Sequence, residues 1–440
     1  MTGASSSRSC RLFCDIRVPD EPQAAIVTGN ALLSRSSSLK KPLFYSLPPA
    51  GHKIPLRLSL GCFGNRSQEH CERAIEGITR YLGIRNVFYL SSGRAALWLY
   101  LKALSVFRRE RNEVIVPAYT CPSVVSAVLK AGLTPVLCDN NLEDLGYDLQ
   151  ALESKLGHKT LAAIVVHLYG VPVDVAAVQE LCRNHGASLV EDAAQAFGNS
   201  FPDEQDVKLG LKGDAGFYSF GRGKPISILH GGLLAVASDE VGHEARRIMR
   251  ELNANTANVR YGLSLGTYAL FSNPRLYWIP QMIPFLNLGG TVFEPEFATS
   301  RGLHAAAAVL GTMLSGLEKE KEIRGMNAKW YADNLTAGCI RHIGSRGEYP
   351  YLRYPLMIVD TCLRMRILEK LIAEGSGATG SYPTPLNELP KLREVLADDR
   401  EYENAKKIAA SIVTLPVHSG VDVTDRENIK RIIQQVIHAN

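Results

Sequence analysis

A lysine between glycine and proline, Lys224, is the residue of this sequence best suited to covalent chemistry. It follows the alternating apolar segment 215–220 and precedes the paired glycines Gly231 and Gly232. A strand-like segment that gives way to a loop places the next side chains at the edge of a sheet. A desolvated lysine there loses its proton more readily and can act as an amine nucleophile. A solvated loop lysine is the ordinary alternative for Lys224 taken alone.

Two polar side chains upstream, Asp192 and Gln195, favour the chemical interpretation. Asp192 follows the apolar run 188–190 and is predicted at the carboxyl end of a buried strand, where open α/β sheets bind ligands. A carboxylate there can keep a heterocyclic nitrogen protonated, and Gln195 can hydrogen-bond a hydroxyl on the same ring. A helix N-cap is the alternative for Asp192, because the helix-forming segment 193–196 follows it.

A predicted anion site lies at Ser91, Ser92 and Gly93. A strand ends there and a helix is predicted to run on to about Leu104. The unsatisfied amides of such a helix start bind phosphate, and the helix dipole and the cation of Arg94 favour it further. The same residues also make an ordinary N-cap and turn, so this segment alone is weak support for a ligand.

The elements that must position these residues alternate between strand and helix from residue 113 to residue 185. Continuous apolar strands separated by helices predict a mostly parallel sheet covered by helices on both faces, which is the α/β class. Two more strands, at 217–220 and 233–237, are predicted on either side of Lys224. A single long helix is predicted from 303 to 322.

The chain divides into three predicted regions. Residues 1–54 are rich in serine and lack a sustained period, and they are interpreted as a flexible N-terminal extension. Residues 55–295 form a large α/β domain that binds the ligand. Residues 296–440 combine long helices with two short strands and form a smaller C-terminal α+β domain.

Composition excludes several classes of function. The chain has 440 residues, 46% hydrophobic and 21% charged, which is typical of a globular protein, and it has no apolar run of about 18 residues. Its net charge of +5 lies entirely within residues 1–57, so the rest offers no field for nucleic acid. Nine dispersed cysteines indicate reduced thiols and a cytoplasmic location rather than disulfides or a metal site.

In their order and spacing, these motifs resemble the DegT/DnrJ/StrS family of sugar aminotransferases that depend on pyridoxal 5'-phosphate (PLP). The resemblance covers roughly residues 55–440 and implies PLP fold type I. The matching segments are 91–97, 114–120, 167–170, 191–195, 213–216, 219–220, 223–224, 382–383 and 415–418.

The resemblance also implies a role for each site residue. Lys224 would form the internal aldimine with PLP and shuttle the proton during transamination. Asp192 would hold the pyridine nitrogen protonated, and Gln195 would contact the ring hydroxyl. The amides of Gly93 and Arg94 would bind the phosphate together with the hydroxyl of Ser219.

Four positions depart from the family pattern. Arg94 stands where threonine is usual, and His230 replaces a glycine in the lysine loop. Cys121 stands where an aromatic ring commonly stacks on the cofactor, although its sulfur can pack against a ring face and Tyr119 is an alternative. Segment 297–301 does not match the asparagine-tyrosine-arginine segment that the family's partner subunit supplies.

The leading hypothesis is transfer of an amino group, from glutamate as the family implies, to a nucleotide-linked keto-sugar by a homodimer. The retained Lys224 argues against the family's dehydratase branch, in which histidine replaces the lysine. Segment 297–301 leaves open another fold type I activity on a non-sugar substrate. Cys121 and His230 leave open a regulator that binds PLP without turnover. No nucleic-acid or membrane partner is predicted.

Overall fold

A seven-stranded sheet forms the centre of the computed structural model, which describes residues 44–51, 53–63, 68–254, 257–283, 290–344 and 347–439. The strands in chain order are β1 (Asn86–Leu90), β2 (Glu113–Pro117), β3 (Thr134–Cys138), β4 (Thr160–Val166), β5 (Ser188–Asp192), β6 (Ser200–Phe201), β7 (Glu204–Lys208), β8 (Ala215–Ser219), β9 (Gly232–Val236), β10 (Ile340–His342), β11 (Arg353–Ile358) and β12 (Ile412–Pro416).

The α-helices of the described residues lie before, between and after these strands. In chain order they are α1 (Leu56–Leu60), α2 (Gln68–Leu82), α3 (Gly93–Phe107), α4 (Pro122–Lys130), α5 (Leu149–Lys155), α6 (Val175–Asn184), α7 (Asp239–Glu251), α8 (Asn258–Phe271), α9 (Trp278–Gln281), α10 (His304–Leu314), α11 (Leu317–Asn334), α12 (Thr361–Ala373), α13 (Pro390–Leu396), α14 (Glu403–Ser411) and α15 (Val423–His438).

The central sheet is mostly parallel, as predicted. Its order is β1-β9-β8-β5-β4-β2-β3, and the five strands from β8 to β3 are parallel. Strand β9 runs antiparallel to both of its neighbours. The loop from β8 to β9, residues 220–231, contains no helix, whereas a parallel return needs a long crossover. This loop carries Lys224.

Both faces of the sheet are covered, which explains why the central strands are apolar along their whole length. Every residue of β4 is buried. Ile164 contributes to the hydrophobic core on the face covered by α3, α4 and α7, whereas Ala163 and Val165 contribute to the core that contains α6 and α10. Burial on both faces removes the alternation of polar and apolar residues that a half-exposed strand shows.

A second, three-stranded antiparallel sheet is formed by β10, β11 and β12, and α12 packs against it and against α15. Its register pairs Arg353 with Pro416. The described residues, from 44 to 439, cluster as a single compact unit. The predicted division into domains at residue 295 therefore stays a prediction.

The predicted flexible extension does not reach residue 54. Leu47 is fully buried and its amide donates to the Gly375 carbonyl at 2.8 Å. The buried His418 donates from Nε2 to the Pro48 carbonyl, also at 2.8 Å. The apolar Leu47 and Pro48 are thus fixed against the C-terminal half. Residues 1–43 lie outside the described part of the chain.

The single helix predicted from 303 to 322 is wrong, because the structure has two helices there. Helix α10 ends at Leu314 and α11 begins at Leu317. Ser315 and Gly316 separate them, and serine and glycine are weak helix formers. No helix in the described part of the chain is long and apolar enough to cross a bilayer.

Candidate active site

Asp192 is the last residue of β5 and lies at the carboxyl edge of the central sheet, as predicted. Its side chain is 5% exposed, and Oδ1 accepts a hydrogen bond from the Ala194 amide at 2.9 Å. Burial raises the pKa of Asp192, while the ammonium of Lys224, the Ala194 amide and His167 act in the opposite direction. Lys224 and this buried carboxyl therefore lie within electrostatic range of each other.

Lys224 is held in the β8–β9 loop by its own backbone. Its amide donates to Ser227 Oγ at 2.8 Å, and that hydroxyl donates back to the Lys224 carbonyl at 3.1 Å. The next carbonyl, of Pro225, accepts from the fully buried guanidinium of Arg324 at 3.1 Å. These bonds fix the backbone of the loop, whereas the Lys224 side chain is partly exposed to solvent.

Gln195 connects the end of β5 with two tyrosines. Its Oε1 accepts from the Tyr169 amide at 2.8 Å, and its Nε2 donates to the hydroxyl of Tyr382 at 3.2 Å. One amide hydrogen of Gln195 remains, since a side-chain amide carries two. Tyr382 is partly buried and lies within electrostatic reach of Asp192 and Cys121. From the sequence, Tyr382 was identified only as part of a matching motif, with no role assigned.

The predicted anion turn is built by close approach of three backbone segments. Ser92 caps α3, and its hydroxyl accepts from the Ala95 amide at 3.3 Å. A Cβ on Gly93 would lie 2.9 Å from the Cβ of Ser219, and one on Gly232 would lie 2.2 Å from the carbonyl carbon of Ser92. Only glycine permits these contacts, which bring the Ser219 hydroxyl beside the first amides of α3.

The guanidinium of Arg94 does not contribute to this turn in the way the sequence suggested. Both of its terminal nitrogens lie 3.0 Å from Glu294 Oε2, and its carbon lies 4.8 Å from the ring centroid of Phe297. The ion pair neutralises the cation that was expected to favour an anion. The backbone amide of Arg94 remains in the first turn of α3.

Cys121 and Tyr119 have different surroundings. Cys121 is the N-cap of α4, and its sulfur lies 3.0 Å from Ser123 Oγ. Tyr119 is fully buried, and its hydroxyl donates to the Tyr382 carbonyl at 3.3 Å. The rings of Tyr119 and Tyr382 meet edge to face at 5.6 Å. Tyr119 thus packs against Tyr382, which lies within electrostatic reach of Cys121 and Asp192.

His230 has a structural role in the lysine loop. Its Nε2 accepts a hydrogen bond from the Leu303 amide at 3.1 Å, and burial lowers its pKa to about 4. The neutral ring therefore anchors the segment before α10. That segment continues to the anion turn, where Ser91 donates from its amide to the Ser300 carbonyl at 3.0 Å. The unmatched segment 297–301 thus packs beside the anion turn of its own chain.

A buried hydrogen-bonded pair at the end of β5, His167 and Glu191, was not predicted from the sequence. Nε2 of His167 lies 3.0 Å from Oε2 of Glu191, and both side chains are fully buried. Glu191 also accepts from the amides of Gly210, Lys212 and Gly213 at 2.6 to 2.9 Å. Burial raises the pKa of Glu191, but His167 and the amides outweigh it, so the pKa is lowered. This network fixes the strand end that carries Asp192.

Replacing Glu191 with glutamine is expected to lower the free energy of unfolding by about 3 kcal/mol at pH 7, because a side-chain amide cannot accept all the hydrogen bonds that the buried carboxylate accepts from His167 and three backbone amides. Urea denaturation would measure the loss.

The pH dependence of this loss follows from the lowered folded-state pKa of Glu191. The stability that Glu191 contributes is present above its unfolded pKa of about 4.3 and is lost as pH falls through its folded pKa. The difference between wild type and variant should therefore shrink in acid. Glu322→Gln, at an exposed position, is the control, and an equal loss in both variants would contradict the assignment.

Two curated relatives align along most of the chain. A GDP-perosamine synthase from Caulobacter vibrioides is 24% identical over 81% of this chain and 87% of its own length. A UDP-N-acetyl-3-dehydro-alpha-D-glucosamine 3-aminotransferase from Acidithiobacillus ferrooxidans is 33% identical over 83% of this chain and 88% of its own length. Both names describe enzymes of nucleotide-sugar amination.

Solved structures establish the same fold. PseC of Helicobacter pylori, an aminotransferase of pseudoaminic acid biosynthesis, has a TM-score of 0.70 at 18% identity and covers 90% of this chain and 100% of its own. The E. coli GDP-4-keto-6-deoxy-D-mannose-3-dehydratase with bound hydrated PLP also has a TM-score of 0.70, at 16% identity, and covers 89% and 100%. These likenesses confirm the predicted fold type.

The family follows from the match along the chain. The model of the DegT/DnrJ/EryC1/StrS aminotransferase family matches residues 66–437, nearly all of the region in which the sequence motifs lie. The resemblance carried by those motifs is thereby confirmed. This protein belongs to the DegT/DnrJ/EryC1/StrS aminotransferase family.

Proposed function

We propose that this chain is a PLP-dependent aminotransferase that moves an amino group from a donor such as glutamate to a nucleotide-linked keto-sugar. The proposal is carried by the buried Asp192 at the carboxyl edge of the sheet, which lies within electrostatic range of Lys224 in the β8–β9 loop. The substrate class is supported by the names of the relatives that align along most of the chain.

The residues around Asp192 suit a protonated pyridine ring. The buried carboxyl has a raised pKa and no ion-pair partner among the described residues within bonding distance, so a ring nitrogen that carries a proton would complete it. Gln195 keeps one amide hydrogen for a ring hydroxyl. When bound, PLP supplies a ring that accepts electrons from the reacting carbon.

The start of α3 suits the phosphate. The amides of Gly93 and Arg94 have no partner within their own helix, and the Ser219 hydroxyl lies beside them. The Arg94 guanidinium, paired with Glu294, is not needed for this role. Cys121 and Tyr382 would border the ring, with the sulfur or the tyrosine edge against it.

Lys224 is the group that holds and moves protons. Its amine would take the proton from the substrate carbon that carries the transferred nitrogen. It would then deliver this proton to the cofactor carbon bound to the same nitrogen. The fixed backbone of the lysine loop supports this role, because it limits where Nζ can reach. We further expect a homodimer and a cytoplasmic location.

The function is tested by two reactions of the purified protein. With PLP bound, glutamate should convert the cofactor to its amino form, with loss of the visible absorbance band. Addition of nucleotide-linked keto-sugars should then restore the band and yield an amino sugar detected by mass spectrometry. Conversion by glutamate without amination of any keto-sugar would favour a non-sugar substrate. PLP binding without conversion by any amino donor would favour a regulator.

A further inference from the structure

The N-terminal segment 44–51 is tied to the C-terminal half of the protein at four successive residues. The hydroxyl of Tyr45 donates to Asp425 Oδ2 on α15 at 3.0 Å. The amide of Ser46 donates to the Pro274 carbonyl at 2.9 Å. The next two residues make the bonds described with the fold. A backbone fixed at successive residues leaves the carbonyl at the end of the segment little freedom.

The guanidinium of Arg324 joins the end of this segment to the lysine loop. Its Nη2 donates to the Gly51 carbonyl at 3.2 Å and to the Pro225 carbonyl at 3.1 Å. A terminal guanidinium nitrogen carries two hydrogens, and these two carbonyls use both. Pro225 directly follows Lys224. One nitrogen atom therefore connects the position of segment 44–51 with that of the lysine backbone.

Arg324 can transmit position because it is buried and is held at its other side as well. Its side chain is 1% exposed, and its Nε lies 3.3 Å from Oε1 of Glu320, one turn earlier on α11. The same Glu320 oxygen accepts a hydrogen bond from the Ser419 amide at 3.1 Å. A buried charge that loses its partners is costly, so the guanidinium keeps these contacts in the folded protein.

Gly51 presents its carbonyl through a backbone conformation that favours glycine. Its φ is +127°, a value at which any other residue is strained. A Cβ on Gly51 would lie 3.6 Å from the Tyr268 hydroxyl, which is an ordinary contact. Alanine at this position would therefore disturb the backbone, and with it the carbonyl that Arg324 binds, without a steric clash.

We propose that Arg324 and segment 44–51 are positioning elements of the lysine site. The fixed Gly51 carbonyl orients the guanidinium, and the guanidinium fixes the backbone beside Lys224, which limits where Nζ reaches. Both elements act on Lys224 through the Pro225 carbonyl. This inference rests on the proposed aminotransferase function. Because the family model begins at residue 66, segment 44–51 supports the site from outside the family match.

Attachment of PLP to the full-length protein, followed by its visible band, tests the proposal. Gly51→Ala should weaken the apparent affinity for PLP by about 10-fold, the effect of one hydrogen bond to a charged group. Arg324→Met removes both bonds and should weaken it by about 10²-fold. Arg324→Lys should recover part of this loss, since lysine keeps a cation opposite Glu320. Gly132→Ala is the matched control, because Gly132 also has a positive φ, of +80°, and lies in open space.

The double variant tests whether the two elements act through one bond. Once Arg324 is replaced by methionine, the Gly51 carbonyl has lost the guanidinium, so adding Gly51→Ala should change the PLP affinity by less than about 2-fold. Fully additive losses would overturn the coupling. If Arg324→Met does not fold, the same comparison is made with Arg324→Lys.

Hydrogen exchange in the protein without cofactor gives a readout that needs no reaction. Gly51→Ala should speed exchange in the peptide 220–231 by about 10-fold, and exchange in the central strands should stay unchanged. Asn327→Ala serves as the control for a general loss of stability. Asn327 is buried on the same helix but bonds to Val417 and Arg426 rather than to the lysine loop. It should lower the melting temperature without changing the loop or the band.

Failure of the positioning role and failure of the proposed function give different results. Wild-type PLP affinity and loop exchange in both Gly51→Ala and Arg324→Lys would overturn the positioning role. Equal effects in Gly132→Ala or Asn327→Ala would also overturn it, because general destabilisation would then be the cause. If wild type forms no visible band with PLP, the proposed function fails, while exchange of the loop still decides on the positioning elements.

Discussion

Lys224→Ala is expected to lose the visible band of bound PLP and to lower the rate of transamination by at least about 10³-fold. The loss combines the missing covalent attachment with the missing proton carrier, and general acid–base catalysis alone contributes about 10²- to 10⁴-fold. Absorbance after mixing with PLP measures attachment, and the glutamate half-reaction measures the rate. Protein that still binds PLP without the band would show that Asp192 and the anion turn hold the cofactor unaided.

The control for this prediction is Lys102→Ala. Lys102 is exposed on α3, the helix whose first turn forms the anion site, so its removal changes charge without changing the lysine loop. It should retain both the band and the rate. A small primary amine added to Lys224→Ala should restore part of the activity. A visible band of normal intensity in Lys224→Ala would contradict the role assigned to this residue.

The proximity of Lys224 to Asp192 could be predicted from sequence because each residue lies close to the carboxyl end of a strand. Apolar segments such as β4 identified the buried parallel sheet, and the carboxyl ends of parallel strands meet at one edge. The turn at Gly93 could be predicted for a similar reason, since glycine and serine before an apolar helix form a local pattern. In each case the information lies within a few residues of the site.

The features that could not be predicted depend on contacts between distant segments. Arg94 pairs with Glu294, 200 positions away, so its short-range pattern gave no sign that the cation was neutralised. Tyr382 is separated from Gln195 by 187 positions.

Asp192→Asn is expected to lower the rate of transamination by about 10²- to 10³-fold while making the protein without cofactor slightly more stable. The rate falls because the amide cannot keep a ring nitrogen protonated, and loss of one aligned electrostatic partner has effects of this size. Asparagine preserves the shape and the bond to Ala194. Rapid mixing with glutamate would measure the rate, and urea denaturation the stability.

The stability half of this prediction follows from the sign of the pKa shift. Burial raises the folded-state pKa of Asp192 above its unfolded value of about 3.9, so the stability that this group contributes is lost as pH rises through the folded value. At pH 7 the variant avoids the cost of burying a charged carboxylate.

Added PLP should reverse the order of stability of the two proteins. The positive charge of the ring pairs with the carboxylate of wild type, so PLP raises the melting temperature of wild type more than that of the variant. Asp203→Asn, at an exposed position, should show neither effect. An equal gain from PLP in wild type and Asp192→Asn would mean that this carboxylate does not face the ring nitrogen, since the pair with that nitrogen is the interaction that PLP adds to wild type alone.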